Sequence, residues 1–271
     1  MRSKDVPQFR TKDQSCKMTL QTLIRKNKPD LAYIKTEGQA PTVIFLPGYK
    51  SDMEGTKATY LESRCKDKGQ GFLRFDYAGH GVSGGDFKDG TIGSWTQDAL
   101  DMIDSVTDGD LILIGSSMGG WIALLAALKR PERVKGLIGI AAAPDFTEGL
   151  YTREFNDEQR QTIDEQGFIE IPNEYSDEPY IFTKALIEDG RDHLLLEKGI
   201  DLCIPVRLIQ GMKDADVEWQ TAHRIKNAIE ETAAQPDCDV LLIEDGDHRL
   251  SRPQDLDMIE KKLEELTYAC I

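Results

Sequence analysis

The stretch Gly115-Ser116-Ser117-Met118-Gly119 sets a serine between two glycines, each two positions away. That spacing suits a hydroxyl carried on a turn too tight for side chains at the flanking positions. Residues 111–114 (LILI) just before it are wholly apolar, and residues 118–129 (MGGWIALLAALK) after it are apolar most of the way round. A buried strand that turns sharply into a buried helix lifts Ser117 Oγ clear of a sheet. It also sets the hydroxyl at a helix N-terminus, where the dipole and free N–H groups favour developing negative charge. Ser116 is the rival hydroxyl, but the spacing selects Ser117.

A serine hydroxyl at its normal pKa is a weak nucleophile and needs a base. The chain has four histidines. His80 lies in a loop, in Ala78-Gly79-His80-Gly81. His193 lies late in an irregular stretch, and His223 on a helix expected to begin near Val217. His248 follows the last expected strand, in Glu244-Asp245-Gly246-Asp247-His248. Where a serine on such a turn is the nucleophile, the chain order is serine, acid, histidine. Only His248 meets that order; structural or surface roles are expected of the other three. The acid belongs at the end of the preceding strand, where 206–209 runs into Gly211-Met212-Lys213-Asp214-Ala215-Asp216. Asp214 is placed to orient His248 through Nδ1–H and to stabilise the imidazolium. Asp216 is the alternative, with an N-cap of the next helix as its plainer role. A tetrahedral intermediate needs an oxyanion hole. The backbone N–H of Met118 is one expected donor, and that of Tyr49, in Pro47-Gly48-Tyr49, is the other.

The elements that must position these groups alternate along the chain. Apolar runs at 42–46, 71–75, 111–114, 134–141, 206–209 and 240–243 read as strands. Segments 55–68, 91–106, 118–129 and 256–267 read as helices. Alternation of this kind predicts a mostly parallel, doubly wound α/β sheet. Between 145 and about 198 the rhythm breaks. Seven aromatic residues, Phe146, Tyr151, Phe155, Phe168, Tyr175, Tyr180 and Phe182, gather there. We expect an inserted cap over the C-terminal edge of the sheet, where α/β folds place ligands, within a single domain spanning 1–271. Most of these aromatics are expected to pack the cap on the body, and one or two to line a pocket.

Composition narrows the partners. There are 33 Lys and Arg against 48 Asp and Glu, a net charge of −15, so nucleic-acid binding is not expected. Residues 1–36 run the other way, with nine basic groups and three acidic ones. A solvated lead-in strand explains them better than a mitochondrial presequence, because presequences avoid acids and Asp5 and Asp13 are present. No apolar run reaches the roughly 18 residues of a membrane span, and no secretory h-region is seen. The five cysteines, Cys16, Cys65, Cys203, Cys238 and Cys270, have no zinc-like spacing. They read as free thiols in a reducing compartment, bacterial cytoplasm or mitochondrial matrix.

With these residues in view, the chain resembles the α/β-hydrolase superfamily from about 31 to 266. Several stretches are similar to one subgroup. They are Phe45-Leu46-Pro47-Gly48-Tyr49, Gly55-Thr56-Lys57-Ala58, Arg74-Phe75-Asp76-Tyr77, Gly115-Ser116-Ser117-Met118-Gly119-Gly120-Trp121, Gly211-Met212-Lys213-Asp214 and Asp247-His248-Arg249. That subgroup contains a mitochondrial abhydrolase-domain palmitoyl-protein thioesterase, also described as an acyl-glucuronide deacylase, and bacterial relatives. The resemblance implies a serine hydrolase of carboxylic thioesters or esters, small or protein-linked, working without metal or organic cofactor, with Ser117, Asp214 and His248 as its triad. Two departures stand out. Pro47-Gly48 replaces the His-Gly pair of many members, which keeps the N–H donor. Glu218 stands where relatives often carry proline. A carbon–carbon bond hydrolase on the same triad, or a non-catalytic binding protein on this scaffold, are the competing expectations. Oligomeric state is not legible.

Overall fold

A computed structural model of the chain describes residues 19–172 and 178–270. The expected basic lead-in at 1–18, Cys16 and Tyr175 lie outside the described residues.

The core is an eight-stranded sheet. Its strands are β1 (Gln21–Leu23), β2 (Leu31–Thr36), β3 (Gln39–Leu46), β4 (Gln70–Phe75), β5 (Leu111–Ser116), β6 (Val134–Ile140), β9 (Pro205–Gly211) and β10 (Asp237–Ile243). They lie in the order β1-β2-β4-β3-β5-β6-β9-β10. From β4 to β10 every pairing is parallel; β1 and β2 add an antiparallel edge. The parallel strands are buried on both faces, so they read as unbroken apolar runs. Alternate residues feed different cores. Val43, Phe45, Ile112, Ile114, Ile138 and Ile140 join Ala58, Leu61, Ile259 and Leu263 on one side. Those last four come from helices α1 (Thr56–Asp67) and α8 (Pro253–Ala269). Ile44, Leu46, Leu111, Leu113, Leu137 and Leu208 face the opposite way. There they meet α2 (Ile92–Val106), α3 (Met118–Lys129) and α7 (Gln220–Glu230). Helix α3 is buried from Met118 to Ala127, as its uniform apolarity requires. Helix α2 starts at a capping box, Thr91 with Ser94.

Between β6 and β9 the chain leaves the sheet. It forms α4 (Phe146–Gly149), a π-helical turn (Leu150–Glu154), α5 (Asp157–Gln166), the antiparallel pair β7 (Phe168–Ile171) and β8 (Tyr180–Thr183), and α6 (Lys184–Asp192). Asp145 closes this insertion at its base: its carboxylate accepts from Leu195 N and Leu196 N at 2.8 and 2.9 Å. Helix α6 is tied to the first turn of α2 through Asp189, which accepts from Gly93 N at 2.7 Å. Among the described residues no helix is long and apolar enough to cross a membrane.

Candidate active site

The expected residues sit on four loops at the C-terminal ends of β3, β5, β9 and β10. The loop after β5 is the tightest. Ser117 holds φ 55° and ψ −120°, a backbone region that side-chain-bearing residues rarely adopt. Its N–H donates to Ile140 O at 2.9 Å, and its carbonyl accepts from Gly120 N at 2.8 Å and Ala143 N at 3.1 Å. The flanking glycines are steric necessities. A Cβ on Gly115 would lie 2.2 Å from Gly119 O, and one on Gly119 would lie 2.0 Å from Leu46 O. Gly120 adds a third restriction, because its Cβ would meet Ala142 Cβ at 2.5 Å.

The loop after β3 lies against this turn. A Cβ on Gly48 would fall 3.3 Å from both Ser116 O and Ser117 Cβ. Among the described residues, neither Tyr49 N–H nor Met118 N–H donates to a backbone carbonyl. The Tyr49 side chain is held by the insertion. Its ring stacks on Phe182 at 5.3 Å and 7°, and meets Phe87, Trp95, Phe146 and Tyr180 edge-on. Its hydroxyl donates to Ile181 O. Burial, with Tyr180 nearby, pushes that hydroxyl well above its ordinary pKa, so it stays a donor. Lys50 adds a second tie, donating to Pro179 O at 3.1 Å. We expect Tyr49→Phe to cost about 1 kcal/mol, the usual net worth of one hydrogen bond. Thermal unfolding would read this as a fall of a few degrees; an unmoved melting temperature would mean the Ile181 bond contributes nothing.

The remaining two loops are joined to each other. Met212 N donates to Ile243 O and Lys213 N to Gly246 O, at 2.9 and 2.8 Å. Gly211 and Gly246 touch so closely that a Cβ on Gly211 would lie 2.4 Å from Gly246 O. Across this seam His248 Nδ1 lies 2.9 Å from Asp214 Oδ2. The Asp214 side chain is fully buried, while that of His248 is 18% exposed. Asp214 Oδ2 also accepts from Gln210 Nε2 at 2.8 Å, and Oδ1 accepts from Asp216 N and Val217 N at 2.9 and 2.8 Å. Burial raises the pKa of this carboxyl. The hydrogen bond and charge of His248, with the two backbone donors, outweigh burial and hold it below the ordinary carboxylate value. Asp214, Asp216 and His248 come close enough to share a cation. However, the acceptor positions of Asp214 are already taken by four N–H donors.

The structure brings Asp214 and His248 together and seats Ser117 on a strand-to-helix turn; among the described residues Ser117 Oγ makes no hydrogen bond to His248. Asp216 is exposed and serves Asp214 through its backbone. It does not cap α7, whose N-cap position is Trp219. His80 is buried in a box of Tyr77, Phe87 and Trp95, and burial pushes its pKa down to about 4. His193 lies 3.7 Å from Asp189, and its carbonyl accepts from Trp121 Nε1 at 3.1 Å. His223 sits exposed on α7 against Trp219. Sequence reasoning missed Gln210. The signal was a lone amide at the end of an apolar strand four residues before the acid.

Known proteins bear directly on this arrangement. A family model described as serine aminopeptidase, S33 matches residues 39–161. Mouse mitochondrial palmitoyl-protein thioesterase ABHD10 is 40% identical over 253 residues, covering 92% of this chain and 83% of its own length. The chain belongs to the ABHD10 family of α/β-hydrolases. The solved structure of the mouse family member superposes with a TM-score of 0.84 at 38% identity, over 93% of this chain and all of that one. A putative hydrolase from Agrobacterium vitis S4 gives 0.85 at 40% identity, over 93% and 98% of the two chains. Est1E from Butyrivibrio proteoclasticus, 19% identical with a TM-score of 0.73, shares the fold.

Proposed function

We propose that this hydrolase cleaves carboxylic thioesters or esters through an acyl-enzyme on Ser117. The observation that carries the reading is the 2.9 Å contact between Asp214 Oδ2 and His248 Nδ1, on two loops zipped together at the same end of the parallel sheet as the Ser117 turn. Asp214 holds the Nδ1–H tautomer, which leaves Nε2 as the proton acceptor. Ser117 Oγ attacks the acyl carbonyl carbon as His248 takes its proton. The oxyanion is met by the N–H groups of Tyr49 and Met118, each worth about 3 kcal/mol to the transition state. The carbon–sulfur or carbon–oxygen bond breaks, and the proton passes from His248 to the departing thiol or alcohol. A water then gives a proton to His248 and attacks the acyl carbon; the bond to Ser117 Oγ breaks, His248 returns the proton to Oγ, and the carboxylic acid leaves.

The name of the mouse relative supports acyl thioesters of proteins as a substrate class, and its mitochondrial label supports a mitochondrial location. Cys65, Cys203, Cys238 and Cys270 are free, which fits a reducing compartment. The insertion at 145–198 acts as the cap of a single hydrolase domain, pressing Phe182 and Tyr180 onto the oxyanion loop.

Exposure to a fluorophosphonate followed by intact-mass measurement and peptide mapping tests the reading. One adduct on Ser117, absent from Ser117→Ala, is the expected result. No adduct on folded protein would overturn the reading in favour of a binding protein. A panel of thioesters, esters and carbon–carbon substrates then separates this chemistry from its alternative. The rate is also expected to fall in acid, because an imidazolium at His248 cannot accept the serine proton. A rate that does not fall in acid would count against His248 as the base.

A further inference from the structure

Gly55-Thr56-Lys57-Ala58 is a stretch the proposed chemistry leaves unused. Lys57 lies in the first turn of α1, a poor place for a cation, because the positive end of the helix dipole repels it. Helix α1 gains nothing there in compensation: it has no side-chain N-cap hydrogen bond and no acid in its first turn. The contact Lys57 does make is long-range. Its Nζ donates to Arg249 O at 2.5 Å, across 192 residues of chain. Arg249 is the residue after His248.

The histidine loop is held at several points. Upstream, Gly246 O accepts from Lys213 N at 2.8 Å, which joins it to the acid loop. Inside the loop, Asp247 Oδ1 accepts from Leu250 N at 3.0 Å. Leu250 itself takes a left-handed φ of 44° to bury its side chain. That conformation is disfavoured for a branched residue, so the segment needs outside support to persist. Downstream of the imidazole, the Arg249 carbonyl accepts from Ser251 Oγ at 2.9 Å within the loop and from Lys57 Nζ, which anchors it to α1.

We propose that Lys57 is a positioning residue for the base: by gripping the Arg249 carbonyl it fixes the backbone behind His248, so the imidazole stays in register between Asp214 and Ser117. The inference rests on the triad proposed above. An ammonium makes a charge-assisted bond to a carbonyl, stronger than the bond of a neutral amine. Burial pushes Lys57 down to about 8. The charged groups facing it are Asp247 and Arg249 on the histidine loop and Asp255 in the first turn of α8; the two carboxylates oppose the shift and Arg249 adds to it. The grip is therefore complete below about pH 8 and weakens as pH rises through that value.

Hydrolysis of a p-nitrophenyl acyl ester from pH 5 to 10 by the full chain tests this. The wild-type kcat is expected to decline on an alkaline limb near pH 8. Lys57→Met is expected to lower the plateau kcat about 10- to 100-fold, the scale of a slightly misplaced catalytic group, with KM little changed and the alkaline limb gone. Lys57→Arg keeps a donor that does not titrate in this range, so kcat should stay near wild type and the plateau should extend past pH 9. An alkaline limb that persists near pH 8 in Lys57→Arg overturns the proposal, even if Lys57→Met fails to fold. So does Lys57→Met with wild-type kcat. Ser117→Ala, run alongside, separates the two layers. Retained activity there sinks the triad itself, whereas an inactive Ser117→Ala beside an unaffected Lys57→Met sinks only the role of Lys57.

Discussion

Ser117→Ala is expected to lower turnover by about three to six orders of magnitude, the range seen when a serine nucleophile is deleted and only the oxyanion donors and binding remain. The melting temperature should not fall with it. Alanine keeps the Cβ, so the φ of 55° costs the same in both proteins. No hydrogen bond of the fold passes through Oγ among the described residues; the bonds at this position use the Ser117 backbone. Ser117→Gly should be equally inactive, yet more stable than the alanine variant by about 1 kcal/mol, because glycine adopts that backbone without strain. Two variants with the same lost activity and different melting temperatures would separate the chemistry of the hydroxyl from the strain of the turn that presents it. Near-native hydrolysis by either one would remove Ser117 from the mechanism.

The parts of this fold that were legible in the sequence are those whose environment is uniform. Strands such as Ile112–Ile114 and Val43–Leu46 are covered on both faces, so they appear as unbroken apolar runs. Helix α3 begins and ends where its apolar stretch does. Elements at the rim were harder to read. Strand β10 was legible only from Val240, because Asp237 and Asp239 stand exposed on the open edge of the sheet. Strands β1 and β2 lie in a basic stretch, and β2 alternates buried and half-buried residues as a partly covered antiparallel strand does. In the insertion, β7 and β8 carry no periodic signal. They are held by contacts distant in sequence, such as Phe182 on Tyr49.

The site follows the same rule. Ser117 is announced by local spacing, and Asp214 and His248 by their order after it. Gln210 leaves only a faint mark, a lone amide closing an apolar strand, and Lys57 stands out only within a stretch similar to one subgroup, with no role attached. Gln210 matters because the end of β9 aims its amide at Asp214. Lys57 matters because α1 and the histidine loop meet at one end of the sheet. Supporting residues of this kind become visible only when register and packing are known.

Gln210 also decides how an acid-to-amide change at Asp214 plays out. Asp214→Asn preserves shape but must put an oxygen at one carboxylate position and an NH2 at the other. Oδ1 accepts two backbone N–H groups, from Asp216 and Val217. Those donors are fixed to the main chain, so the asparagine oxygen goes there. The NH2 then occupies the Oδ2 position, facing His248 Nδ1 and Gln210 Nε2. Gln210 can turn its amide over to accept, at the loss of its bonds to Gly211 O and Val217 O. His248 can accept only by moving its proton from Nδ1 to Nε2, which is the tautomer that cannot take the serine proton. The loss in kcat is therefore expected to reach about 10,000-fold, as an isosteric amide produces elsewhere through the wrong tautomer. Combining Asp214→Asn with Gln210→Glu restores a carboxylate next to the new amide without restoring the Nδ1–H acceptor. The double variant should stay inactive, so a recovered rate would show that the site needs local negative charge rather than an oriented imidazole. With the single variant, a loss under about 10-fold would show that Asp214 does not set the tautomer of His248.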